Sequence, residues 1–377
     1  MSPRRSGPTI VIPTTTDWGV HAEGGTESFV RNLAREASRQ GVPIQVLSTG
    51  NGSWNNGCVE VRPVISQART ELVYVRALRR KLRTRRLSLP AESVVLANAE
   101  HYVWPFIDTS NPVLLLAHGA VPPTLRATRG RLKTLAFEVF LEPRAIYRAS
   151  RILAVSEDTA AYYREKFPEA SWKVSQISMG VDLDAVPQPG APRPEDRWGL
   201  GPGGPKVLFA GRLSKEKGLP LLIEACDRVR HSGTPLELLV AGDGPLRGWI
   251  HERMKSKGWI HALGRVPHSD LMELMVHSDL LAIASIYEGL PTVLLEAVCA
   301  GVPVVSTKVG RAGELLGPAN GVIVGRSPQE LADGILRASR LDRAVVGETD
   351  RHLRSLLDFR LTAEAIFDNA RTVAEGL

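Results

Sequence analysis

At 377 residues, 43% hydrophobic and 23% charged, the chain is long enough for two soluble domains and is not of disordered composition. Its three cysteines, Cys58, Cys226 and Cys299, show no metal-ligand spacing and read as reduced thiols. The apolar run TIVIP is too short for a signal peptide and no uncharged apolar stretch reaches membrane-spanning length, so a cytoplasmic protein is expected.

Along the first half, apolar runs that read as strands (TIVIP, IQVLST, SVVLANA, VLLLAH, RILAVS and VSQIS) alternate with helical patterns such as ESFVRNLAREASRQG, closed by Gly41. Such alternation predicts a parallel sheet with helices on both faces. Within this half, VRALRRKLRTRR (75–86) carries Arg76, Arg79, Arg80, Lys81, Arg83, Arg85 and Arg86 on a predicted helix, with Leu78, Leu82 and Leu87 as its thin apolar stripe. A second basic cluster, RATRGRLK, spans 126–133. Two readings stand: a solvated arginine-rich face, or an electrostatic platform for anionic lipid or an anionic substrate. Nucleic acid is disfavoured, because neither cluster is interleaved with aromatics. The pattern then breaks into AVPQPGAPRPEDRWGLGPGGPK, a proline- and glycine-rich linker. Alternation restarts with KVLFAG, LELLVAG, DLLAIAS and VPVVST. The expected organisation is a domain over 1–190, a linker over 191–205, a second doubly wound domain over 206–355 and a helix over 356–377 packing back toward the first domain.

Ligands of open parallel sheets bind beyond the carboxyl ends of the strands, so those ends matter most in the second half. After KVLFAG comes GRLSKEKG, where Gly211 permits close approach and Arg212 and Lys217 offer two cations suited to a diphosphate. After LELLVAG comes DGPLRG, whose glycines (Gly242, Gly244, Gly248) do not keep the spacing of a dinucleotide fingerprint. After DLLAIAS comes IYEGLPTVLLEAVCAG, with Glu288 on a loop, Gly289 and Leu290 in the entry turn, and Pro291 expected in the first turn of a helix. Thr292 and Glu296 share one face of that helix by their spacing of four. Carboxylates there can complement the helix dipole, or can grip hydroxyls of a ligand whose phosphates sit on the helix end.

Taken together in order and spacing, GGTESFVRNLAREASRQG, VSEDTAAYYREKF, ISMGVDLDAV, FAGRLSKEKG, AGDGPLR, ALGRVPHSDL, the Glu288/Glu296 pair and VGRAGELL resemble the retaining glycosyltransferases of the GT-B fold, specifically family GT4. The resemblance implies an α/β fold of two Rossmann-like doubly wound domains facing each other across a cleft, the first binding acceptor and the second a nucleotide sugar. It makes Arg212 and Lys217 a diphosphate clamp, Glu296 the partner of the ribose hydroxyls and Glu288 the contact to the donor sugar. Gly289, Leu290 and Pro291 form the turn at the distal phosphate; since Pro291 has no amide hydrogen, Leu290 or Thr292 must donate there. Gly264, Arg265 and Val266 match the loop against the nucleobase, and Gly24 and Gly25 match the glycine loop of the first domain.

His118 ends the strand VLLLAH, where alone it reads as structural; within the resemblance it becomes a catalytic candidate. The family commonly follows it with an acidic residue, but Gly119 follows here. Arg311 likewise stands where a second glycine often follows Gly310. Asp17, Trp18 and His21, with Glu23, lie beside the glycine loop and are candidates for acceptor binding. No metal is expected, because two cations and a helix end cover the leaving diphosphate; Asp182 and Asp184 of GVDLDAV are not read as a metal site. The implied activity is metal-independent transfer of a sugar from a UDP- or GDP-linked donor to an acceptor hydroxyl, in bacterial glycan, glycolipid or natural-product biosynthesis. A nucleotide-sugar epimerase of the same shape and a non-catalytic nucleotide-sugar sensor are the alternatives.

Overall fold

A computed structural model describes residues 7–17, 25–68, 70–119, 137–188 and 204–376, with Asp17 and residues 25–27 described by backbone alone. Trp18, His21, Glu23, Gly24, the basic cluster 126–133 and residues 191–203 of the expected linker lie outside the described residues. By packing, the chain divides into two units. The first takes the chain up to Ser178 and again from Arg360; the second is Met179–Phe359.

In the first unit, strands β1 (Thr9–Asp17), β2 (Ile44–Thr49), β3 (Trp54–Asn55), β4 (Val59–Ile65), β5 (Ser93–Ala97), β6 (Val113–Ala117), β7 (Arg151–Ala154) and β8 (Val174–Gln176) form one sheet. Its order is β3-β4-β2-β1-β5-β6-β7-β8, parallel throughout except for the short β3. The central strands β5 and β6 are buried along their whole length, which is why they read as unbroken apolar runs rather than as alternating ones. The chain winds outward from β1 through β2 and β4, then restarts on the other side at β5. The order of strands therefore reverses between β1 and β5, and a crevice at their carboxyl ends follows. The helix Phe359–Ala374 closes the unit from the far end of the sequence: Thr362 donates to the Ser178 carbonyl at 3.0 Å, and Ile366, Phe367 and Ala370 are buried.

In the second unit, β9 (Lys206–Ala210), β10 (Glu237–Ala241), β11 (Ile260–Gly264), β12 (Leu280–Ile283), β13 (Val304–Thr307) and β14 (Gly321–Val324) are all parallel, in the order β11-β10-β9-β12-β13-β14. The reversal lies between β9 and β12, so the loops leaving these two strands emerge side by side although about 70 residues of chain separate them. The start of this unit is pinned by Arg354, whose buried guanidinium donates to the carbonyls of Leu183, Val186 and Pro187 at 2.9–3.0 Å. Asp182 turns inward on its own backbone, accepting the Asp184 amide at 3.2 Å.

The basic helix of the first unit spans Glu71–Arg83, capped by the Thr70 hydroxyl. Its buried face is broader than the expected leucine stripe: Tyr74, Val75 and Leu78 are buried, with Leu82 packed at the margin. Arg76, Arg80 and Arg83 are exposed. Arg79 is engaged differently, with its guanidinium 4.5 Å over the Trp104 ring and 2.9 Å from the Asp108 carboxylate. These residues line an open groove of about 620 Å³ made by Arg76, Arg79, Arg80, Arg83, Thr84 and Trp104. Among the described residues, no helix is long and apolar enough to cross a membrane.

Candidate active site

The exits of β9 and β12 meet because a single glycine lets them. Gly218 has φ of +71°, and a Cβ on it would stand 1.9 Å from the Ala284 carbonyl oxygen, so the loop after β9 lies directly against the end of β12. The Ile286 amide donates to Glu216 at 2.8 Å across the same junction. This contact carries Lys217 to Glu288: Nζ stands 2.5 Å from Oε1. Ser285 donates to the same oxygen at 2.7 Å, and Thr307 at the end of β13 fixes the Ser285 carbonyl at 2.8 Å. The Glu288 side chain is only 13% exposed, so its charge is held by two donors rather than by water.

Gly310 supports the same turn from the other side. Its φ is +47°, and a Cβ would come within 2.2 Å of the Gly289 carbonyl oxygen. The neighbouring Arg311 pairs with Glu314 at 2.6 Å. Arg212 is exposed and has no side-chain hydrogen-bond or ion-pair partner among the described residues. Gly211, at φ +150°, leaves open space where a side chain would stand, giving close access to the backbone at the end of β9.

The helix after this loop is Thr292–Ala300, and Pro291 sits just before it, with φ −70° and ψ 115°, rather than in its first turn. Extended backbone at Pro291 makes it the capping position, and the proline side chain makes no capping hydrogen bond to the first amides. Leu294 bonds back to Pro291, so Thr292 and Val293 present the uncapped N–H groups. Glu296 lies one turn inside and accepts from His268 Nε2 at 2.8 Å. Sequence reasoning missed His268; it lies within ALGRVPHSDL, but nothing local signals a partner 28 residues away.

At the β11 exit, Gly264 has φ +67° and accepts the Gly242 amide at 2.7 Å, while Val266 is half-buried. Arg265 reaches Asp243, its Nε 3.3 Å from Oδ2. The Asp243 carboxyl is held below its usual range, first by the Gly244 amide and then by Arg247 and Arg265. Asp243 is a second residue that sequence reasoning did not single out.

In the first unit, His118 follows β6 and hydrogen-bonds through Nε2 to Asn98 Oδ1 at the exit of β5. Phe29, on the helix Gly25–Gln40, stands edge-on to the imidazole with ring centroids 5.7 Å apart. Burial lowers the His118 pKa to about 4, so the ring is neutral at physiological pH. Asp17 ends β1 beside Thr49 and Gly25 opens the helix Gly25–Gln40, while the candidates Trp18 and His21 between them lie outside the described residues.

Two cations, a clamped carboxylate, bare helix amides and open glycine backbone thus converge on the crevice at the β9/β12 reversal. This set can bind a phosphorylated ligand and hydrogen-bond hydroxyls beside it. Comparison with known proteins points the same way. A model of the glycosyl transferases group 1 matches residues 193–353, and one of glycosyltransferase family 4 matches 23–185. The chain is 32% identical over 205 residues to the putative teichuronic acid biosynthesis glycosyltransferase TuaC of Bacillus subtilis, an alignment covering 54% of this chain and 49% of that protein. It thus spans about half the length of this curated relative, and less of the mycobacterial glycogen synthases it also matches. In fold it is similar to sucrose-phosphate synthase from Thermosynechococcus elongatus, with TM-score 0.82 and 17% identity over 98% of this chain and 100% of that one. Anabaena HepE, solved in complex with UDP-glucose, superposes with TM-score 0.71 and 20% identity over 98% and 100% of the two chains. The two family models and the shared two-sheet architecture lead to one assignment: the chain belongs to the GT-B glycosyltransferases of group 1, family GT4.

Proposed function

We propose that this protein is a retaining, metal-independent glycosyltransferase that moves a sugar from a UDP- or GDP-linked donor to an acceptor hydroxyl. The observation that carries the reading is the Lys217–Glu288–Ser285 cluster at the β9/β12 reversal, set beside the uncapped helix at Thr292. HepE, a fold neighbour solved with UDP-glucose, supports a nucleotide sugar as the ligand class. In this reading Arg212, Lys217 and the amides of Thr292 and Val293 take up charge on the departing diphosphate. Glu288 holds hydroxyls of the transferred sugar and Glu296 holds those of the ribose. The departing phosphate oxygen accepts the acceptor's proton on the face where it leaves, which retains configuration without an enzymic nucleophile. A bacterial glycan, glycolipid or natural-product acceptor is the class expected, with Asp17, Trp18 and His21 as its contacts.

A thermal-shift screen of nucleotide sugars identifies the donor, and nucleoside diphosphate release with and without added acceptors tests the reaction. Acceptor-dependent release that persists in excess EDTA is the expected outcome. Complete loss restored by divalent ions would overturn the metal-independent reading and direct attention to Asp182 and Asp184. Consumption of the donor to an isomer without acceptor would replace transfer by epimerisation.

We also infer a cytoplasmic protein that reaches anionic membranes reversibly through the helix Glu71–Arg83. Its exposed cations, Arg76, Arg80 and Arg83, lie outside the buried face, so contact is electrostatic and weakened by salt, at about 1 kcal/mol per nearby cation. Co-sedimentation with phosphatidylserine vesicles at low ionic strength is expected for the wild type. It should be lost when Arg76, Arg80, Arg83 and Arg86 become Ser, a set that spares the Arg79–Trp104–Asp108 contact. A wild type that ignores such vesicles at low salt would make the cluster a solvated face and favour a soluble acceptor.

A further inference from the structure

We propose that Asn98 is a positioning residue for His118, accepting the imidazole Nε2–H and thereby holding the ring in one orientation and one neutral tautomer, with Nδ1 as its acceptor. The two side chains meet at the carboxyl ends of adjacent strands β5 and β6, next to the strand-order reversal of the first unit. A ring nitrogen that donates to an amide oxygen must carry the proton, and a neutral imidazole has only one. Phe29 holds the ring from a second side, edge-on at 84°.

Three features separate this arrangement from ordinary core packing. Asn98 is 4% exposed, and among the described residues its Nδ2 has no hydrogen-bond partner, a cost an apolar residue of similar size would not incur. The ring's partner comes from the end of the neighbouring strand β5, 20 residues away in sequence. That partner is also uncharged. The hydrogen-bond and ring partners of His118 among the described residues are Asn98 and Phe29, and neither titrates. A carboxylate in the place of Asn98 would favour the imidazolium; the amide adds no such charge, so burial leaves the ring a neutral donor–acceptor, the form that can accept a hydrogen bond from a sugar hydroxyl. That last role rests on the transferase reading; the pairing itself does not.

The test is imidazole-nitrogen NMR on the full chain labelled with ¹⁵N-histidine, combined with turnover on UDP-glucose or whichever nucleotide sugar the screen identifies. For the wild type, the His118 ring should be the Nε2–H tautomer with a pKa of about 4. Asn98→Asp keeps the acceptor and adds a charge, so it should raise the His118 pKa by about one or more and add an acidic limb to the pH–rate profile. Asn98→Leu should mix the tautomers and lower kcat about tenfold or more, with donor KM held within about twofold. If Asn98→Leu fails to fold, the Asn98→Asp spectra and pH profile decide. An Nδ1–H tautomer in the wild type, or a His118 pKa unmoved by Asn98→Asp, would overturn the proposal, as would full kcat in Asn98→Leu. A wild type that turns over no nucleotide sugar sinks the transferase reading instead, and the tautomer and pKa measurements still decide on Asn98.

Discussion

Replacing Glu288 by alanine is expected to cut transfer by about 10²–10³-fold while leaving UDP binding intact. The carboxylate is 13% exposed and receives Lys217 Nζ at 2.5 Å and Ser285 Oγ at 2.7 Å on the same oxygen, which leaves its other oxygen for a sugar hydroxyl. On the proposed reading, its loss removes a contact to the transferred sugar and no contact to the diphosphate. It also releases Lys217, so UDP affinity should hold or rise slightly. Glu288→Gln, which retains an acceptor oxygen but not the charge, should fall between wild type and Glu288→Ala. Calorimetric titration with UDP beside steady-state turnover checks this. A loss of UDP affinity in step with turnover would show that Glu288 serves the diphosphate and that its assignment to the sugar is wrong.

Arg212→Ala and Lys217→Ala should weaken both UDP binding and turnover, each removing a charged contact of about 1.5–3 kcal/mol, or roughly 10- to 150-fold in affinity. The structure ranks the two. Arg212 is exposed and without a side-chain partner among the described residues, so on the proposed reading its removal deletes one phosphate contact and breaks no described side-chain contact. Lys217 neutralises Glu288, so its removal also leaves a poorly solvated carboxylate beside the incoming diphosphate. Lys217→Ala is therefore the more damaging change. Because the two side chains touch, the effects should not add: Glu288→Ala introduced into Lys217→Ala should recover part of the lost UDP affinity. Unchanged UDP affinity in both single variants would rule out the clamp, and strict additivity in the double variant would rule out the coupling.

Much of the architecture was legible in the one-dimensional pattern. Apolar runs such as VLLLAH and KVLFAG are strands buried on both faces, and that burial is what makes them continuous in sequence. The loops after KVLFAG and DLLAIAS were legible as a candidate site for a similar reason, since strand carboxyl ends are where a parallel sheet exposes backbone to ligand. Local readings failed at element edges. SVVLANA continues past its strand, which ends at Ala97 and leaves Asn98 free to meet His118, and Pro291 stands one residue outside the helix it was expected to enter. What only the tertiary structure decided is the pairing of polar side chains: Lys217 with Glu288 across 71 residues, His268 with Glu296 across 28, and Asn98 with His118 across 20. Residue types and spacing named Lys217, Glu288 and Glu296 as chemistry-bearing, and the family resemblance added His118, but the identity of each partner follows from strand order. Strand β9 lies beside β12 rather than only beside β10, and β5 lies beside β6. Such neighbours are chosen by burial of whole sheet faces and the path of the crossovers, which no local run of residues encodes.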